Sequence, residues 1–300
     1  MLTERNELYS FEEKYESYLK IFEEYAKSQA DKLTTMPDIL SDSMKYSLFL
    51  GGKRVRPVLA LAVADIFHLP QEEILPFALA IEMIHTYSLI HDDLPAMDND
   101  DFRRGKPSNH KQFGEANAIL AGDGLLNTAY SICISQCFKG EKYCFAAKLL
   151  CDYAGIEGMI AGQSLDLKFT SSKEECREED LLKIYELKTG KLLLAPILVA
   201  CILSGGKSYF ELEEFGENLG ELFQITDDIL DEIGSFEKLG KTIGKDKNEK
   251  KLTCVSFYGL EGAKIQADIR ATKCYTVLDG IEGDSEFLSD LVSYIRKREN

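Results

Sequence analysis

The apolar residues of the chain recur at helical spacing along most of its length. In the first 30 positions, apolar residues follow one another at intervals of three or four, with Glu and Lys between them: Leu8, Phe11, Tyr15, Tyr18, Phe22 and Tyr25. This pattern predicts an amphipathic helix whose stripe packs on a core or on a second subunit. Further helical patterns cover residues 57–67, 71–91, 115–138, 142–167, 178–204 and 211–233, and shorter helices broken by Gly280 and Gly283 are expected within 262–299.

The alternating pattern of strands is hard to find in this chain, and no internal repeat or long linker divides it. Several of the middle helices are apolar nearly all round, which is typical of helices at the centre of a bundle. The sequence therefore predicts a single all-α domain of about ten helices spanning residues 1–300.

Composition narrows the function classes. The 35 Lys and Arg against 51 Asp and Glu leave a net charge of −16, which argues against a nucleic-acid partner. The eight cysteines contain no Cys-x-x-Cys pair, which favours reduced thiols in a cytoplasmic protein over a zinc ribbon. The longest apolar run, residues 192–203, is shorter than the roughly 18 residues that span a bilayer, and the first residues lack an apolar signal region, so we expect no integral membrane association.

Two acidic clusters follow apolar helical stretches. Asp92 and Asp93 end one such stretch and Asp98 follows Pro95, while Asp227, Asp228 and Asp231 lie in another, with Asp227 and Asp231 one helical turn apart. Carboxylates in such surroundings need cations.

Three kinds of cation could balance the charge of these carboxylates. Mg²⁺, which is usually held by one or two carboxylates together with substrate phosphates, fits two clusters that face each other across a cavity. Surface ion pairs with Arg103 and Arg104 are the simpler alternative for the first cluster. A di-iron site would need a second Glu-x-x-His segment besides Glu82 to His85, and the sequence contains none.

Basic residues that suit phosphate are found in four segments. The segment Gly-Gly-Lys-Arg-Val-Arg-Pro (51–57) precedes a predicted helix start, and its Lys53 and Arg56 would face an anion at that helix N-terminus. His85 lies two turns before Asp92 on the same helix; it is either a ligand or a core histidine. Lys188, in an apolar stretch, requires an anionic partner, and the basic loop that contains Lys241 either binds phosphate or is simply solvated.

Taken in order, these motifs resemble the trans-isoprenyl diphosphate synthase family, and within it the bacterial farnesyl diphosphate synthases. The resemblance extends over nearly the whole chain. It rests on segments 51–57, His-Asp-Asp-Leu-Pro-Ala-Met-Asp (91–98), Phe-Gly-Glu-Ala (113–116), Ala-Gly-Gln (161–163), Lys-Thr-Gly (188–190), Asp-Asp-Ile-Leu-Asp (227–231) and Leu-Gly-Lys (239–241).

The resemblance implies an isoprenoid-synthase-type helical bundle around a deep central cavity, usually as a homodimer. It implies that several Mg²⁺ ions are ligated by Asp92, Asp98 and Asp227, with Asp93, Asp228 and Asp231 acting through water or neighbouring ligands. The residues expected to hold isopentenyl diphosphate are Lys53, Arg56, His85 and Arg104. Those expected to hold dimethylallyl or geranyl diphosphate are Arg103, Lys188, Thr189, Gln224 and Lys241, of which Lys188, Thr189 and Gln224 are also expected to assist the chemistry.

Product length is predicted from the residues below the first acidic motif. Tyr87 lies five residues before Asp92, roughly 7.5 Å along the helix axis, and Ser88 lies about one turn before it. In the family, an aromatic residue at this position together with the longer Asp92–Asp98 spacing accompanies a C15 product; simple core packing of Tyr87 is the alternative. The competing functions are a geranylgeranyl diphosphate synthase and a catalytically silent subunit that binds prenyl diphosphates. A terpene cyclase is disfavoured by the second acidic motif.

Overall fold

The computed structural model describes residues 10–33, 38–171, 177–233 and 252–298. Within them the chain is helical except for turns and one short hairpin, so the all-α prediction is confirmed. The elements are α1 (Phe11–Ala30), α2 (Asp38–Leu48), α3 (Val55–Ile66), α4 (Gln71–Asp92), β1 (Phe102–Arg103), β2 (Lys106–Pro107), α5 (Asn109–Phe113), α6 (Glu115–Cys137), α7 (Glu141–Ala154), α8 (Met159–Ser171), α9 (Glu178–Ile184), a π-helical turn (Tyr185–Gly190), α10 (Lys191–Leu203), α11 (Tyr209–Ile233), α12 (Cys254–Leu278) and α13 (Glu286–Arg296).

The first helix forms as its apolar stripe predicts. It begins after Ser10, whose hydroxyl accepts the Glu13 N–H while the Glu13 carboxylate accepts the Ser10 N–H, a reciprocal cap that satisfies two otherwise unpaired donors. The stripe buries Tyr18 and Phe22 against the core. Leu8, the first residue of the predicted stripe, lies outside the described residues.

Three apolar helices form the centre of the bundle. Residues 55–64 of α3 are all buried, as is nearly all of α10, and α4 packs against α3, α6 and α10. These are helices whose sequences are apolar nearly all round, so their central position follows from composition. The site described below opens where the ends of α3 and α4 approach α11.

Helix boundaries differ from the prediction in several places. The predicted helix over 142–167 divides into α7 and α8 because the chain turns back between Gly155 and Gly158; a Cβ at Gly158 would stand 2.0 Å from the Tyr153 carbonyl oxygen. The stretch 178–204 is interrupted by the π-helical turn. Helix α2 and the hairpin were not predicted, and α12 begins at Cys254, earlier than expected, while the break near Gly280 and Gly283 is confirmed.

Helix α4 is the one described helix that is long and apolar enough to cross a membrane by length and composition. Within its most apolar 18-residue window, 78% of the residues are buried inside the protein. Such burial is typical of the core helix of a globular domain.

Candidate active site

A cavity of about 780 Å³ lies between the start of α3, the end of α4, the hairpin, the π-helical turn and α11. It brings together residues from six separate segments, and most of these residues are polar or charged. The predicted site residues on its wall are Lys53, Arg56, His85, Arg103, Arg104, Thr189, Gln224 and Asp227. A mixed polar and apolar cavity that gathers residues from distant parts of the chain is the usual setting of a small-molecule site.

The loop before α3 places Lys53 and Arg56 near the N-terminus of that helix. Lys53 and Arg56 both line the cavity, and Arg56 lies in the first turn of α3. Gly52 (φ +117°) allows the hairpin to approach, because a Cβ there would stand 2.4 Å from the Arg104 guanidinium carbon. Arg104 in turn donates to the Gly51 carbonyl oxygen. The helix N-terminus and the nearby basic side chains form a site suited to an anion such as diphosphate.

Burial first, and then the charge of neighbouring arginines, lowers the pKa values of these cations. Burial, assisted by the charge of Arg298, lowers the pKa of Lys53 to about 8, against the opposing pull of Asp227. Burial lowers the pKa of Arg56 to about 10, with Glu82 opposing and Arg104 adding to the shift. The pKa of His85 falls well below its usual range because of burial and the neighbouring arginines, Arg56 first. A bound anion would stabilise the protonated forms of these buried cations.

The first acidic cluster follows directly from α4. The Asp98 N–H donates to the Asp92 carbonyl oxygen at 2.8 Å, which folds the segment back so that the two carboxylates are near each other. Burial raises the pKa of Asp92 to about 6, with Lys188 opposing this and Asp98 adding to it. Asp93 is buried and forms an ion pair with Arg103.

The two consecutive arginines therefore point to different partners. Arg103 contacts Asp93 and, at 3.7 Å, Asp100, so the ion-pair alternative describes Arg103. Arg104 instead faces the loop at Gly51 and Gly52, beside the cations of α3.

In the second acidic cluster Asp227 and Asp231 line the cavity, whereas Asp228 has a structural role. Asp227 lines the cavity, and its Oδ1 lies 2.8 Å from Nη2 of Arg298. Asp228 is buried and accepts hydrogen bonds from the Tyr185 hydroxyl and, at 2.8 Å, from the Cys254 N–H. Asp228 thus ties α11 to the π-helical turn and to the start of α12.

The π-helical turn brings Lys188 and Thr189 to the site. The Lys188 ammonium lies 2.5 Å from Asp166, the anionic partner that the sequence required. A Cβ on Gly162 would stand 2.2 Å from the Lys188 backbone nitrogen, so only glycine permits α8 to pack this closely. π-Helical turns of this kind are frequent at functional sites.

Thr189 and Gln224 form a short hydrogen-bonded chain. The Thr189 hydroxyl donates to Gln224 Oε1 at 2.7 Å, and Gln224 Nε2 donates to Asp228 Oδ1 at 3.0 Å. The threonine proton is therefore engaged, and its oxygen lone pairs are available to a positive centre in the cavity.

The donor set fits Mg²⁺. All three predicted ligands are carboxylates. Asp227 already pairs with one cation, the guanidinium of Arg298, and the negative charge of Asp98 adds to the rise in the pKa of Asp92. No three His, Cys, Asp or Glu side chains of the described residues form a ready metal cage. Because Mg²⁺ binds through one or two carboxylates plus substrate phosphates, a complete protein cage is not required.

The predicted chain-length residues lie apart from the cavity wall. Tyr87 is buried, stacks edge-on against His91 and has no hydrogen-bond partner for its hydroxyl among the described atoms. The Ser88 hydroxyl donates to the His85 carbonyl oxygen. Neither residue lines the cavity described above, so their role in product length stays a prediction.

Three residues of the site were not foreseen. Arg54 and Glu82 form a buried ion pair at 2.8 Å, and Arg298 reaches the cavity from the end of the chain. A carboxylate within the apolar pattern of α4 was the signal for a cationic partner of Glu82. The sequence contains no comparable signal for Arg298. Lys241 lies outside the described residues.

Comparison with known proteins agrees with this site. The family model described as polyprenyl synthetase matches residues 37–280. A farnesyl diphosphate synthase of Micrococcus luteus is 44% identical over 261 residues, which are 86% of this chain and 89% of the relative. A geranylgeranyl diphosphate synthase of Cyanophora paradoxa is 44% identical over 238 residues, 78% of this chain and 79% of the relative.

A solved structure agrees in fold. The geranyltransferase from Helicobacter pylori, crystallised with magnesium and isoprenyl diphosphate, superposes with a TM-score of 0.84 at 32% identity, covering 97% of this chain and 98% of that one. The fold is thus that of prenyltransferases, as the motifs predicted. The family match covers most of the chain, and the sequence relatives agree with it. This chain belongs to the polyprenyl synthetase family.

Proposed function

We propose that this protein is a farnesyl diphosphate synthase. It would join isopentenyl diphosphate to dimethylallyl diphosphate, and then to geranyl diphosphate, by head-to-tail prenyl transfer. One observation carries the proposal: Lys53, Arg56, His85 and Arg104 converge on one side of a cavity whose other side carries Asp227, Thr189 and Gln224. This arrangement has room for two diphosphates, one bound directly by cations and one bound beside carboxylates.

The cationic side of the cavity suits isopentenyl diphosphate. Arg56 and Arg104 can each present two donors to phosphate oxygens, and the start of α3 adds its backbone N–H groups. Burial lowers the pKa values of Lys53 and His85, and the negative charge of a bound diphosphate would favour the protonated form of both groups. Binding there leaves the carbon chain of the substrate directed into the apolar interior.

The opposite side suits the allylic diphosphate. Lys188 and Arg103 supply basic side chains there, and Thr189 and Gln224, which are joined by a hydrogen bond, would offer oxygen dipoles to the carbon from which diphosphate departs. Mg²⁺ held by Asp92, Asp98 and Asp227 would supply the positive charge that stabilises the leaving diphosphate. The side chains of Leu89, Phe223 and Leu230 on the cavity wall exclude water that would otherwise capture the allylic cation.

The reaction is balanced without a protein base. The C–O bond of the allylic diphosphate breaks, and the double bond of isopentenyl diphosphate forms the new C–C bond to the allylic carbon. The C2 proton of the former isopentenyl unit then leaves to the released diphosphate. Thr189 lowers the barrier to the first event through its oxygen dipole, which is aligned in advance by Gln224 and Asp228.

The test is the chain length of the product. The purified protein would be incubated with Mg²⁺, dimethylallyl diphosphate and excess isopentenyl diphosphate, and the dephosphorylated alcohols separated by gas chromatography. We expect a dominant C15 alcohol. A C20 alcohol would replace the proposal with a geranylgeranyl diphosphate synthase, the activity named for the Cyanophora relative. No product would favour a silent subunit.

The proposal includes a homodimer acting in the cytoplasm, with the whole chain as one catalytic domain. An exposed apolar face on α6 and α7 supports the dimer, since Ile119, Leu120, Ile134, Phe138 and Phe145 are all exposed there. The described cysteines are free thiols, which supports a reducing compartment. Sedimentation equilibrium tests the dimer: Ile134→Glu should shift it towards monomer, whereas Ile265→Glu on α12, also exposed, should not.

A further inference from the structure

Arg54, the second residue of the Lys53–Arg54 pair, lies on the cavity wall, but its guanidinium is bound within the protein. Arg54 is 4% exposed, and three of its nitrogen atoms are engaged within the protein. Its Nη1 lies 2.8 Å from Glu82, its Nε 2.8 Å from Glu23, and its Nη2 donates to the Leu48 carbonyl oxygen at 2.5 Å. One guanidinium therefore ties together α1, the end of α2, the start of α3 and α4.

The backbone at Arg54 is held in an unfavourable conformation. Its φ of 51° and ψ of 34° are left-handed, and a residue with a Cβ rarely adopts them without compensation. Arg54 occupies the position directly before α3, between the two cations Lys53 and Arg56. Lys53, Arg54 and Arg56 all line the cavity, and the buried ion pair stabilises the backbone reversal that lies between Lys53 and Arg56.

Glu82 supplies a negative charge among the basic residues on the cationic side of the cavity. It is 2% exposed and lies one helical turn before His85 on α4. Besides its direct pair with Arg54, its charge opposes the depression of the pKa values of Arg56 and Arg104. For Arg54 itself, burial would lower the pKa, but Glu82 and Glu23 together raise it. The Glu82 carboxylate thus opposes the effect of burial on the pKa values of three arginines.

We propose that Arg54 and Glu82 are positioning residues for isopentenyl diphosphate: their ion pair sets where Lys53, Arg56 and His85 stand, while both side chains are committed to each other. The inference rests on the proposed function, because it assigns a role within the same site. It separates the motif at 51–57 into two cations that bind ligand and one that shapes the loop.

Three variants test the pair. Glu82→Gln keeps the shape and removes the charge, and Arg54→Lys keeps the charge and removes the planar fork. The double variant R54M/E82M removes the pair without leaving an unpaired buried charge, a replacement that proteins often tolerate in stability. Glu73→Gln is the matched control, since Glu73 lies on the same helix and pairs with Lys142 at 2.9 Å, and neither residue lines the cavity.

The readouts are the dissociation constant of isopentenyl diphosphate by calorimetry, the KM of each substrate and kcat. We expect the dissociation constant and the KM for isopentenyl diphosphate to rise on the order of 10-fold to 100-fold in Glu82→Gln and in the double variant. The KM for geranyl diphosphate should change less than about twofold, and Glu73→Gln should resemble the wild type. Arg54→Lys should fall between the wild type and the double variant.

The two proposals fail in different ways. Normal binding of isopentenyl diphosphate by the folded double variant would overturn the positioning role, and so would an equal rise in both KM values. Wild-type protein that binds isopentenyl diphosphate but forms no product would overturn the proposed function alone. Wild-type protein that does not bind isopentenyl diphosphate at all would overturn both.

Discussion

The guanidinium of Arg298 lies 2.8 Å from the carboxylate of Asp227 and 4.8 Å from the ring centre of Phe223. An arginine near the end of the chain thus occupies one of the carboxylates expected to hold Mg²⁺. Only 10% of the Arg298 side chain is exposed, whereas 34% of the Asp227 side chain is. The Arg298 guanidinium and a Mg²⁺ ion from solution would therefore compete for the carboxylate of Asp227.

Replacing Arg298 by Gln should lower the Mg²⁺ concentration that gives half-maximal activity. An ion pair with one partner this exposed is worth at most about 1 kcal/mol, so the expected change is roughly two- to fivefold. The measurement is a Mg²⁺ titration of product formation at fixed substrate concentrations. Arg296→Gln is the control, because Arg296 pairs with Asp268 instead. A half-saturating Mg²⁺ concentration equal to that of the wild type would contradict the competition.

The pKa of Lys53 predicts an alkaline limit to the use of isopentenyl diphosphate. Burial lowers this pKa to about 8, so the ammonium that binds diphosphate is lost as the pH rises through that value. Because kcat/KM reports the free enzyme, kcat/KM for isopentenyl diphosphate should fall about tenfold per pH unit well above pH 8. Lys53→Arg should extend the plateau to higher pH, since a guanidinium stays protonated there. A flat profile up to pH 9.5 in the wild type would refute the assignment.

The charge of Arg298 also contributes to the low pKa of Lys53. In Arg298→Gln, the fall in kcat/KM for isopentenyl diphosphate at alkaline pH should therefore begin at a higher pH. The measurement is kcat/KM between pH 7 and pH 9.5. The same replacement thus produces two separate effects, one on Mg²⁺ and one on the pH profile. If the fall begins at the same pH as in the wild type, the coupling between Arg298 and Lys53 is wrong.

Replacing Tyr87 by Ala should lengthen the product. If the ring forms the floor for the growing chain, its removal opens space below the cavity, and C20 alcohols should appear beside C15 in the gas chromatogram. Tyr87→Phe is the matched control: the Tyr87 hydroxyl has no partner among the described atoms, so its loss should leave a C15 product. A pure C15 product from Tyr87→Ala would return Tyr87 to the role of core packing.

Replacing Asp227 and replacing the adjacent Asp228 by Ala should affect different properties: activity in the first case and stability in the second. Asp228→Ala leaves the Tyr185 hydroxyl and Gln224 Nε2 without their acceptor, although the Cys254 N–H keeps its bond to the Tyr185 oxygen. It should reduce the free energy of unfolding by about 3 kcal/mol in a urea titration. Asp227→Ala should change stability by less than about 1 kcal/mol but reduce product formation at least about 100-fold. Equal stability losses in the two variants would count against this division of roles.

Local patterns were enough to predict most of the helices. The stripe on α1, the apolar centre formed by α3, α4 and α10, and the helical break near Gly280 all follow from residue type and spacing. The predicted helix over 142–167 was wrong as a single element, because the turn between α7 and α8 depends on close backbone packing at Gly158. Helix α2 and the hairpin are too short for their spacing to stand out.

The residue types of the site were readable in the sequence because phosphate and Mg²⁺ require particular chemistry, namely cations and carboxylates. Which partner each charged group takes depends on distances across the bundle, and periodicity carries no information about these. Only the folded chain pairs Arg54 with Glu82, and only it directs Arg103 to Asp93 and Arg104 to the loop at Gly51. Charge pairing in a buried site acts over a few ångströms between segments far apart in the chain, so it is decided by tertiary packing.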